Sequence, residues 1–315
     1  MGKNVVVIGG GTGSYTVLRG LKKYPDLNIT AIVSMADDGG STGKLRDEYG
    51  VLPPGDIRRC IVALSEDREM MQKLFEYRFS NGTFNGHSFG NLLLTALKEI
   101  SGNDENAIIE ASKLLNIRGN VLPVTLDDTR LIAELEDGQL IVGETNIDVP
   151  KHDTGLKIKR VLLSPKAIAN QKSIDAILGA DLIILGPGDL FGSLIANLLV
   201  EGISDAIARS SAKKVYVCNL MTKNGETNNF NVTDFVYEIE NYLGKNVLDY
   251  VVYSDKKFDE ELLAKYAGEL AFPVRVDAEK FDAKFISRDV ATEPVLVRHD
   301  SEKLARVVLE ILEKE

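Results

Sequence analysis

The stretch Val5–Gly13, which reads VVVIGGGTG, decides the fold of this chain. A short run of β-branched residues is typical of a buried strand, and the glycines that follow allow a tight turn and a close approach of the backbone. Val17, Leu18 and Leu21 then recur at helical spacing. A strand, a glycine loop and a helix in this order indicate an α/β fold built on a parallel sheet.

The same alternation continues along most of the chain. Further strands are predicted at Asn28–Ser34, Asp181–Leu185, Lys214–Cys218 and Leu248–Tyr253, and a helix is predicted for each intervening stretch. The regular order breaks at about 120–165, where Glu136-Asp137-Gly138 predicts a β-hairpin. We therefore predict one α/β domain over residues 1–315, a doubly wound Rossmann-like parallel sheet with a small β-hairpin insertion at about 120–165.

Composition and charge exclude several classes of protein. Hydrophobic residues make up 44% of the 315 residues and charged residues 27%, which is ordinary for a globular chain. The net charge of -10 argues against whole-surface binding to nucleic acid or to anionic lipid. No run of about 18 apolar residues predicts a membrane span, and the two cysteines lack partners at zinc-ligand spacing. We expect a cytoplasmic protein.

Four polar loops carry the candidate chemistry. They are residues 9–13, 36–43 and 186–193, which follow predicted strands, and 86–91, which opens a predicted helix. The carboxyl ends of parallel strands meet at one edge of a sheet, and backbone N–H groups at helix starts attract anions. The sequence therefore predicts a site for a phosphate- or nucleotide-type ligand.

The first loop leaves a dinucleotide site open. Gly9 and Gly11 fit the pattern G-x-G, but Ser14 stands where a third glycine is expected. An acid at the end of the second strand, Asp37 or Asp38, would suit a ribose hydroxyl. An NAD-binding oxidoreductase is thus one alternative, although no pair of proton-relay residues suited to hydride transfer is evident.

The second loop offers a candidate magnesium site. Asp37 and Asp38 are adjacent at a strand end, and carboxylate oxygens are ligands that Mg²⁺ prefers. The same pair would also serve as sugar-hydroxyl acceptors, or as a solvated turn in which one aspartate caps the next helix. These residues suggest Mg²⁺ as a cofactor, and the sequence fixes none with certainty.

Two further segments hold candidate binding residues. Asp56 is expected to cap a helix over Ile57–Leu64, and since Arg58 and Arg59 are adjacent, at most one of them is expected to face a shared pocket. His87 lies four residues before Asn91 and would share a helix face with it. A serine nucleophile is disfavoured because no G-x-S-x-G elbow is present.

Taken together, these motifs point to a known family. The segments Gly9–Gly13, Ala36–Gly43, Pro54–Arg58, Gly86–Ser88, Gly186–Gly188 and Cys218–Thr222 occur in one order. From Asn4 to about Tyr253 the chain closely resembles the gluconeogenesis factor family of YvcK-like proteins, which are relatives of the phospholactate transferase CofD.

The resemblance implies a function for each of two branches. The YvcK-like branch implies a cytosolic regulatory protein that binds UDP-sugars, notably UDP-N-acetylglucosamine, and is needed for cell shape and for growth on gluconeogenic carbon. The CofD branch implies metal-assisted transfer of a phospholactyl group to a deazaflavin. The segment Lys213–Thr222, with Gly225–Thr227, favours the first branch.

The resemblance also implies the site and the partners. The uracil and ribose would lie in the loops after the first two strands, and the diphosphate on glycine amides. The expected ligand-binding residues are Gly10, Gly11, Thr12, Gly13, Asp37, Asp38, Gly39, Gly40, Ser41, Gly55, Asp56, Arg58, His87, Ser88, Asn91, Gly186, Gly188, Ser193, Asn219, Met221 and Thr222. Asp37 and Asp38 would hold Mg²⁺, no residue is assigned as catalytic, and a homo-oligomer is expected.

Two positions depart from the family pattern. Asp189 stands where relatives usually have serine, and Gly192 where they usually have a hydroxyl-bearing residue, while Gly186, Gly188 and Ser193 keep the pattern. A carboxylate beside a diphosphate repels it unless the carboxylate caps a helix, binds a metal or contacts a hydroxyl. Two accounts of Asp189 therefore stay open: it caps the helix that begins near Leu190, or it lies beside the diphosphate and weakens binding unless Mg²⁺ intervenes. We do not assign phosphate binding to it.

Overall fold

A seven-stranded parallel sheet forms the centre of the computed structural model, which describes residues 2–66, 69–282, 284–292 and 295–314. The strands of the described residues are β1 (Lys3–Gly9), β2 (Leu27–Val33), β3 (Asn120–Pro123), β4 (Arg130–Leu135), β5 (Leu140–Val142), β6 (Ile158–Ser164), β7 (Leu182–Leu185), β8 (Lys213–Val217), β9 (Tyr250–Tyr253), β10 (Phe285–Ser287), β11 (Ala291–Thr292) and β12 (Arg298–His299). The large sheet has the order β10-β9-β8-β7-β1-β2-β3, with every neighbouring pair parallel.

Helices flank this sheet. They are α1 (Gly11–Leu21), α2 (Gly40–Tyr49), α3 (Pro54–Leu64), α4 (Glu69–Glu76), α5 (Phe89–Ser101), α6 (Asp104–Leu114), α7 (Glu144–Asp148), α8 (Gln171–Leu178), α9 (Ala196–Leu198), α10 (Ile203–Arg209), α11 (Val232–Leu243), α12 (Glu260–Gly268) and α13 (Ser301–Glu313). Helix α1 packs against α3 and α13. The predicted α/β class is confirmed, and none of the described helices is long and apolar enough to cross a membrane.

The central strands are apolar because helices cover both faces of the sheet. All four residues of β7 are buried, and so are Val5–Gly9 in β1. The winding of the sheet reverses between these two strands, since β2 lies on one side of β1 and β7 on the other. Ligands of open α/β sheets bind at such a switch point, beside the carboxyl ends of the strands. The loops after β1 and β7 meet here.

The insertion is a three-stranded antiparallel sheet in the order β5-β4-β6, which also carries the short helix α7 between β5 and β6. The predicted Asp-Gly hairpin joins β4 to β5. The irregular region begins later than the expected residue 120, because Asn120–Pro123 forms β3 and pairs with β2 at the edge of the large sheet. Pro123 is tolerated there because an edge strand leaves one row of N–H groups unused.

Two helix boundaries differ from the sequence-based expectation. Helix α3 begins at Pro54 rather than Ile57, since proline is favoured in the first helical turn. Asp56 therefore lies inside that turn and does not cap the helix. The amphipathic pattern from Ser301 predicts a helix that reaches Glu315, which lies outside the described residues; α13 ends at Glu313.

Candidate functional site

An open cleft of about 440 Å³ lies at the switch point of the sheet, and we call it the main cleft. Its lining residues come from the loops after β1, β2, β7 and β8, from α3 and α7, and from the segment around β12. They are Gly10, Gly11, Thr12, Gly13, Thr16, Asp37, Asp56, Arg59, Glu144, Asp148, Pro187, Gly188, Asp189, Ser193, Asn219, Leu220, Met221, Val297, Arg298 and His299. The predicted loops thus converge on one cavity.

The glycines after β1 are required by close approach. A Cβ on Gly13 would stand 1.9 Å from the carbonyl oxygen of Pro187, so the loops after β1 and β7 touch through backbone alone. A Cβ on Gly10 would stand 2.4 Å from Oδ2 of Asp56. The floor of the cleft therefore has no room for side chains at these two positions.

Asp56 occupies the start of α1. Its carboxylate accepts a hydrogen bond from the backbone N–H of Gly11, one of the amides expected to hold a diphosphate. Burial, and then the nearby charge of Asp37, raise the pKa of Asp56 to about 7. A ligand phosphate at this helix start would have to displace the carboxylate, or share the space with a protonated Asp56 or a cation.

The two adjacent aspartates have separate partners. Asp37 lines the main cleft, accepts a 2.9 Å hydrogen bond from the N–H of Gly39, and has its pKa raised by burial. Asp38 accepts a 2.9 Å hydrogen bond from the N–H of Thr145, in the first turn of α7, and does not appear among the cleft-lining residues. Helix α7 is therefore anchored to the loop after β2 by Asp38.

A group of carboxylates stands on the insertion side of the cleft, and we call it the acidic wall. Its members Glu144, Asp148 and Asp189 each offer an oxygen within 4.8 Å of the others. The ammonium of Lys223 pairs with Asp148, with Asp189 at 3.3 Å, and with the buried Glu226 at 2.8 Å. Lys223 thus supplies the positive charge that these acids need.

The acidic wall shifts the pKa values of its own members. Burial, followed by the charges of Asp37 and Asp148, raises the pKa of Glu144 to about 9, so Glu144 is protonated at neutral pH. Burial lowers the pKa of Lys223, but Glu226 and Asp189 outweigh it and the net pKa lies above the usual range. A Cβ on Gly192 would stand 2.8 Å from Oε1 of Glu144, so glycine makes room for that carboxyl group.

Of the two accounts of Asp189, the structure contradicts the helix cap. The chain after β7 enters a π-helical turn over Leu190–Ile195, and the side chain of Asp189 makes no capping hydrogen bond. Instead its backbone carbonyl accepts the N–H groups of Ser193 and Leu194, both at 3.0 Å. The wider π turn directs the carboxylate toward Lys223, where the ion pair replaces the cap.

Some residues of the loops after β7 and β8 line the cleft, and others pack behind it. Asn219 donates a 2.9 Å hydrogen bond to the carbonyl of Gly188, while its Oδ1 is buried without a hydrogen-bond partner among the described residues. Ser193 and Met221 also line the cleft. Gly186 packs behind it, where a Cβ would stand 3.2 Å from the carbonyl oxygen of Val217. Asn219 therefore braces the loop after β7, and its unpaired oxygen is not open to the cleft.

Thr222 does not line the main cleft. It is buried, its N–H donates to the carbonyl of Phe272 at 2.7 Å, and its hydroxyl accepts the N–H of Phe272 at 3.0 Å. It borders a separate pocket on the other side of this loop. The residue therefore anchors the loop after β8 instead of closing the main cleft.

A second cavity, of about 230 Å³, adjoins the main cleft, and we call it the arginine pocket. Its lining residues are Asp37, Gly39, Gly40, Ser41, Thr42, Gly55, Asp56, Arg58, Arg59, Arg78 and Asn91. Three of them, Asp37, Asp56 and Arg59, also line the main cleft. Arg58 and Arg59 both face it, so the expectation that only one of them would do so is wrong; long side chains reach around the helix from adjacent positions.

A hydrogen-bonded network supports the arginine pocket. His87 Nδ1 lies 3.0 Å from the hydroxyl of Ser41, and the Asn91 amide donates to the same hydroxyl at 3.3 Å. Arg58 Nε donates to Oδ1 of Asn91 at 2.9 Å. Ser88 is fully buried and caps α5 by accepting the Asn91 N–H. His87 and Ser88 therefore hold residues that line the pocket, while neither lines it.

Sequence reasoning missed several residues of the site. Arg59 could have been found from the sequence, since it adjoins the predicted site residue Arg58. Its guanidinium donates to the Thr12 hydroxyl at 3.0 Å. Arg298 and His299 carried no motif, and they reach the cleft on β12. His299 Nε2 lies 3.2 Å from the Cys218 carbonyl, and burial lowers the pKa of His299 to about 4, so its ring is neutral.

Comparisons with known proteins agree with this architecture. A family model described as 2-phospho-L-lactate transferase CofD matches residues 5–294. The gluconeogenesis factor of Halalkalibacterium halodurans is 45% identical over 314 residues, covering 98% of this chain and 96% of its own. The gluconeogenesis factor of Bacillus subtilis is 42% identical over 316 residues and covers 98% of both chains.

A solved structure shows the same fold. The crystal structure of protein BH3568 from Bacillus halodurans is similar with a TM-score of 0.94 and 44% sequence identity, covering 98% of this chain and 100% of that one. Sequence and structure thus match over nearly the whole length. The chain therefore belongs to the gluconeogenesis factor family, a group of proteins related to the phospholactate transferase CofD.

Proposed function

We propose that this protein is a cytoplasmic regulatory protein that binds a nucleotide sugar, UDP-N-acetylglucosamine, in the main cleft. The observation that carries the proposal is the cleft itself, at the switch point of the sheet, with two loops that approach through backbone alone. The relatives named gluconeogenesis factor support a role in growth on gluconeogenic carbon. A role in cell shape is part of the same proposal and rests on the family resemblance alone.

The charges of the cleft constrain how such a ligand would lie. Asp37 and the Asp148 and Asp189 carboxylates of the acidic wall supply negative charge to the lining, whereas Arg59 and Arg298 supply positive charge. Because Asp56 already accepts the Gly11 N–H, the diphosphate would lie toward the arginines and the loop after β7. Ribose and sugar hydroxyls would use Asp37 as an acceptor.

Magnesium fits this arrangement through one of the two predicted ligands. Asp37 faces the cleft and would hold an Mg²⁺ ion that neutralises the diphosphate. Asp38 would join it only by releasing the N–H of Thr145. The other residues would bind and orient the ligand, and no step of bond cleavage is assigned to them.

Calorimetric titration tests the proposal. UDP-N-acetylglucosamine, UDP, NAD and GDP are each titrated with and without Mg²⁺. We expect UDP-N-acetylglucosamine to bind more tightly than UDP, because the sugar hydroxyls gain contacts in the cleft. Equal affinity for the two would show that the sugar is not recognised. Tighter binding of NAD would favour the oxidoreductase alternative instead.

A CofD-type Mg²⁺-dependent transferase is the second candidate. The match to the CofD family over residues 5–294 favours it, together with the buried acid Asp56 whose pKa of about 7 suits proton transfer at neutral pH. Incubation with a deazaflavin acceptor and an activated phospholactyl donor, followed by mass spectrometry, tests it. A phospholactylated product would replace the regulatory proposal with an enzymatic one.

The assembly is part of the same proposal. We propose that residues 1–315 act as one domain, with the three-stranded sheet as its insertion, and that the protein forms homo-oligomers. Sedimentation equilibrium over a range of protein concentrations tests the second statement, and a mass of 34.5 kDa throughout would refute it.

A further inference from the structure

Three arginines converge on the arginine pocket without carboxylate partners. Arg58 and Arg59 come from α3, and Arg78 comes from the segment after α4. Their guanidinium groups donate instead to neutral acceptors: Asn91 and the Phe75 carbonyl, the Thr12 hydroxyl, and the Gly86 carbonyl. Within the residues that the structure describes, none of the three guanidinium groups forms an ion pair.

The other buried arginine shows what this chain does when a guanidinium has only a structural role. The side chain of Arg46 is 1% exposed and lies 2.5 Å from a carboxylate oxygen of Asp128. It also donates to the carbonyls of Asp37 and Thr129. Burying a charge is costly unless it is paired, so Arg46 follows the usual rule.

Arg58 breaks that rule. It is 6% exposed, and its burial together with the neighbouring charges of Arg59 and Arg78 lowers the pKa of Arg58 to about 10. It therefore stays charged at neutral pH while two like charges face the same space. The acids Asp37 and Asp56 also line the pocket, but Asp56 is turned to the Gly11 N–H and Asp37 to the Gly39 N–H.

The opposite wall of the pocket offers further donors. Helix α2 begins at Gly40 without any side-chain cap, so its first N–H groups are not taken by a capping side chain, and Gly40 and Ser41 of this first turn line the pocket. The volume of about 230 Å³ is below the roughly 300–1,000 Å³ of cavities that take drug-sized ligands. Charge, donors and size together fit a small oxyanion.

We propose that the arginine pocket binds a phosphate group, free or at the end of a small ester, separately from the ligand of the main cleft. Arg78 and Arg59 contact the anion from the open side, and Arg58, held by Asn91, contacts it from the buried side. This site goes beyond the proposed nucleotide-sugar function, since the two cavities share only Asp37, Asp56 and Arg59 and their other lining residues differ.

Titration with inorganic phosphate tests the proposal on the full chain, at constant ionic strength set with chloride. We expect phosphate to bind the wild type and to bind Arg78→Gln at least fivefold more weakly; Arg78 is exposed, so the variant should fold. Arg209→Gln, an exposed arginine far along the chain on α10, should keep the wild-type affinity. Arg298→Gln, in the main cleft, reports any phosphate that binds there, and we expect it to lose less affinity than Arg78→Gln.

Each contrary result overturns the proposal. Absence of phosphate binding to the wild type, or equal affinity in Arg78→Gln, would do so. An equal loss in Arg298→Gln would place phosphate in the main cleft. Competition between phosphate and saturating UDP-N-acetylglucosamine would assign the pocket to the nucleotide's own ligand.

Two further results separate this inference from the proposed function. If phosphate binds as expected while no nucleotide sugar binds, the arginine pocket stands and the nucleotide-sugar proposal fails. Glycerol 3-phosphate in place of phosphate identifies the source of the group. Tighter binding of glycerol 3-phosphate supports a phosphate ester, and weaker binding supports the free ion.

Discussion

Cationic side chains lie on both sides of the main cleft, but in the part of the chain that the structure describes, those on one side are ion-paired and those on the other side are not. On the insertion side, Lys223 is surrounded by Asp148, Asp189 and Glu226. On the α3 side, the arginine pocket holds guanidinium groups whose partners are neutral. The charge of Lys223 is neutralised by ion pairs that hold the insertion to the sheet, whereas the charge of the arginine pocket remains available to a ligand. A charged residue in a cleft therefore indicates a ligand only when it is not already ion-paired within the protein.

The largest effect should come from removing the insertion-side cation. Lys223→Met would leave Glu226 buried and uncompensated, and removing one partner of a buried pair typically costs about 3–5 kcal/mol. Asp148 and Asp189 are partly exposed, so we expect about 3 kcal/mol in urea unfolding. Lys73→Met, whose partner Glu69 lies on the surface, is the matched control and should be almost neutral. Similar losses in both variants would show that the acidic wall does not depend on Lys223.

A smaller loss should follow from separating the two loops of the cleft floor. In Gly13→Ala the new methyl group would meet the Pro187 carbonyl at 1.9 Å. Overpacking of this kind lowers the free energy of unfolding by about 1–3 kcal/mol. We expect about 2 kcal/mol and a loss of ligand affinity, because the loops after β1 and β7 must move apart. Gly268→Ala, in open space at the end of α12, controls for helix propensity. Unchanged stability and affinity in Gly13→Ala would contradict the close approach.

Asp56, between the two cavities, should make stability depend on pH. Its pKa is raised in the folded state, so its ionisation destabilises the fold, and this penalty is absent at low pH and grows as the pH rises from about 4 to about 7. Asp56→Asn removes the penalty and can still accept the Gly11 N–H. We expect the variant to match the wild type near pH 4 and to exceed it by about 1–2 kcal/mol at pH 8, since water in the cleft reduces the full effect.

Unfolding curves measured from pH 4 to pH 8 check this. A constant difference between Asp56→Asn and the wild type across that range would show that the carboxylate titrates normally in the fold.

The smallest effect concerns Asp189, the exposed end of the acidic wall. Asp189→Ser removes one negative charge from the cleft and one of the partners of Lys223. Stability should fall by less than about 1 kcal/mol, because the carboxylate makes no helix cap and is partly exposed. We expect UDP-N-acetylglucosamine to bind two- to fivefold more tightly without Mg²⁺, and by less with it. Weaker binding would show that Asp189 contacts a ligand hydroxyl.

The sequence was most informative where the backbone geometry of a segment restricts which residue types it can contain. The loop after β1 could be recognised because local contacts leave no room for a side chain at Gly10 and Gly13. The parallel sheet followed from runs such as Val5–Ile8 and Leu182–Leu185, which are apolar on both faces. These signals come from residues that are neighbours in the chain, so they can be read from a single sequence.

The residues that were missed are joined only by the tertiary fold. Glu144 and Lys223 are distant in the chain, and nothing in either segment indicates that α7 would lie beside the loop after β8. The partner of Asp56 was also hidden, because proline moved the start of α3 and directed the carboxylate toward α1. Thr222 fitted a family motif but turned to Phe272, since adjacent residues in an extended loop face opposite sides.

The position of β1 in the middle of the sheet has a consequence for synthesis on the ribosome. Strand β1 is made well before β7, which covers one of its two edges and whose first paired residue is Leu182. At roughly 5–20 residues per second, an interval on the order of 10–35 s separates the two strands. Throughout that time an apolar edge of Val5–Ile8 lacks its permanent neighbour, and exposed strand edges are templates for aggregation. Nascent chains halted before β7 should therefore depend on chaperones far more than chains halted after it.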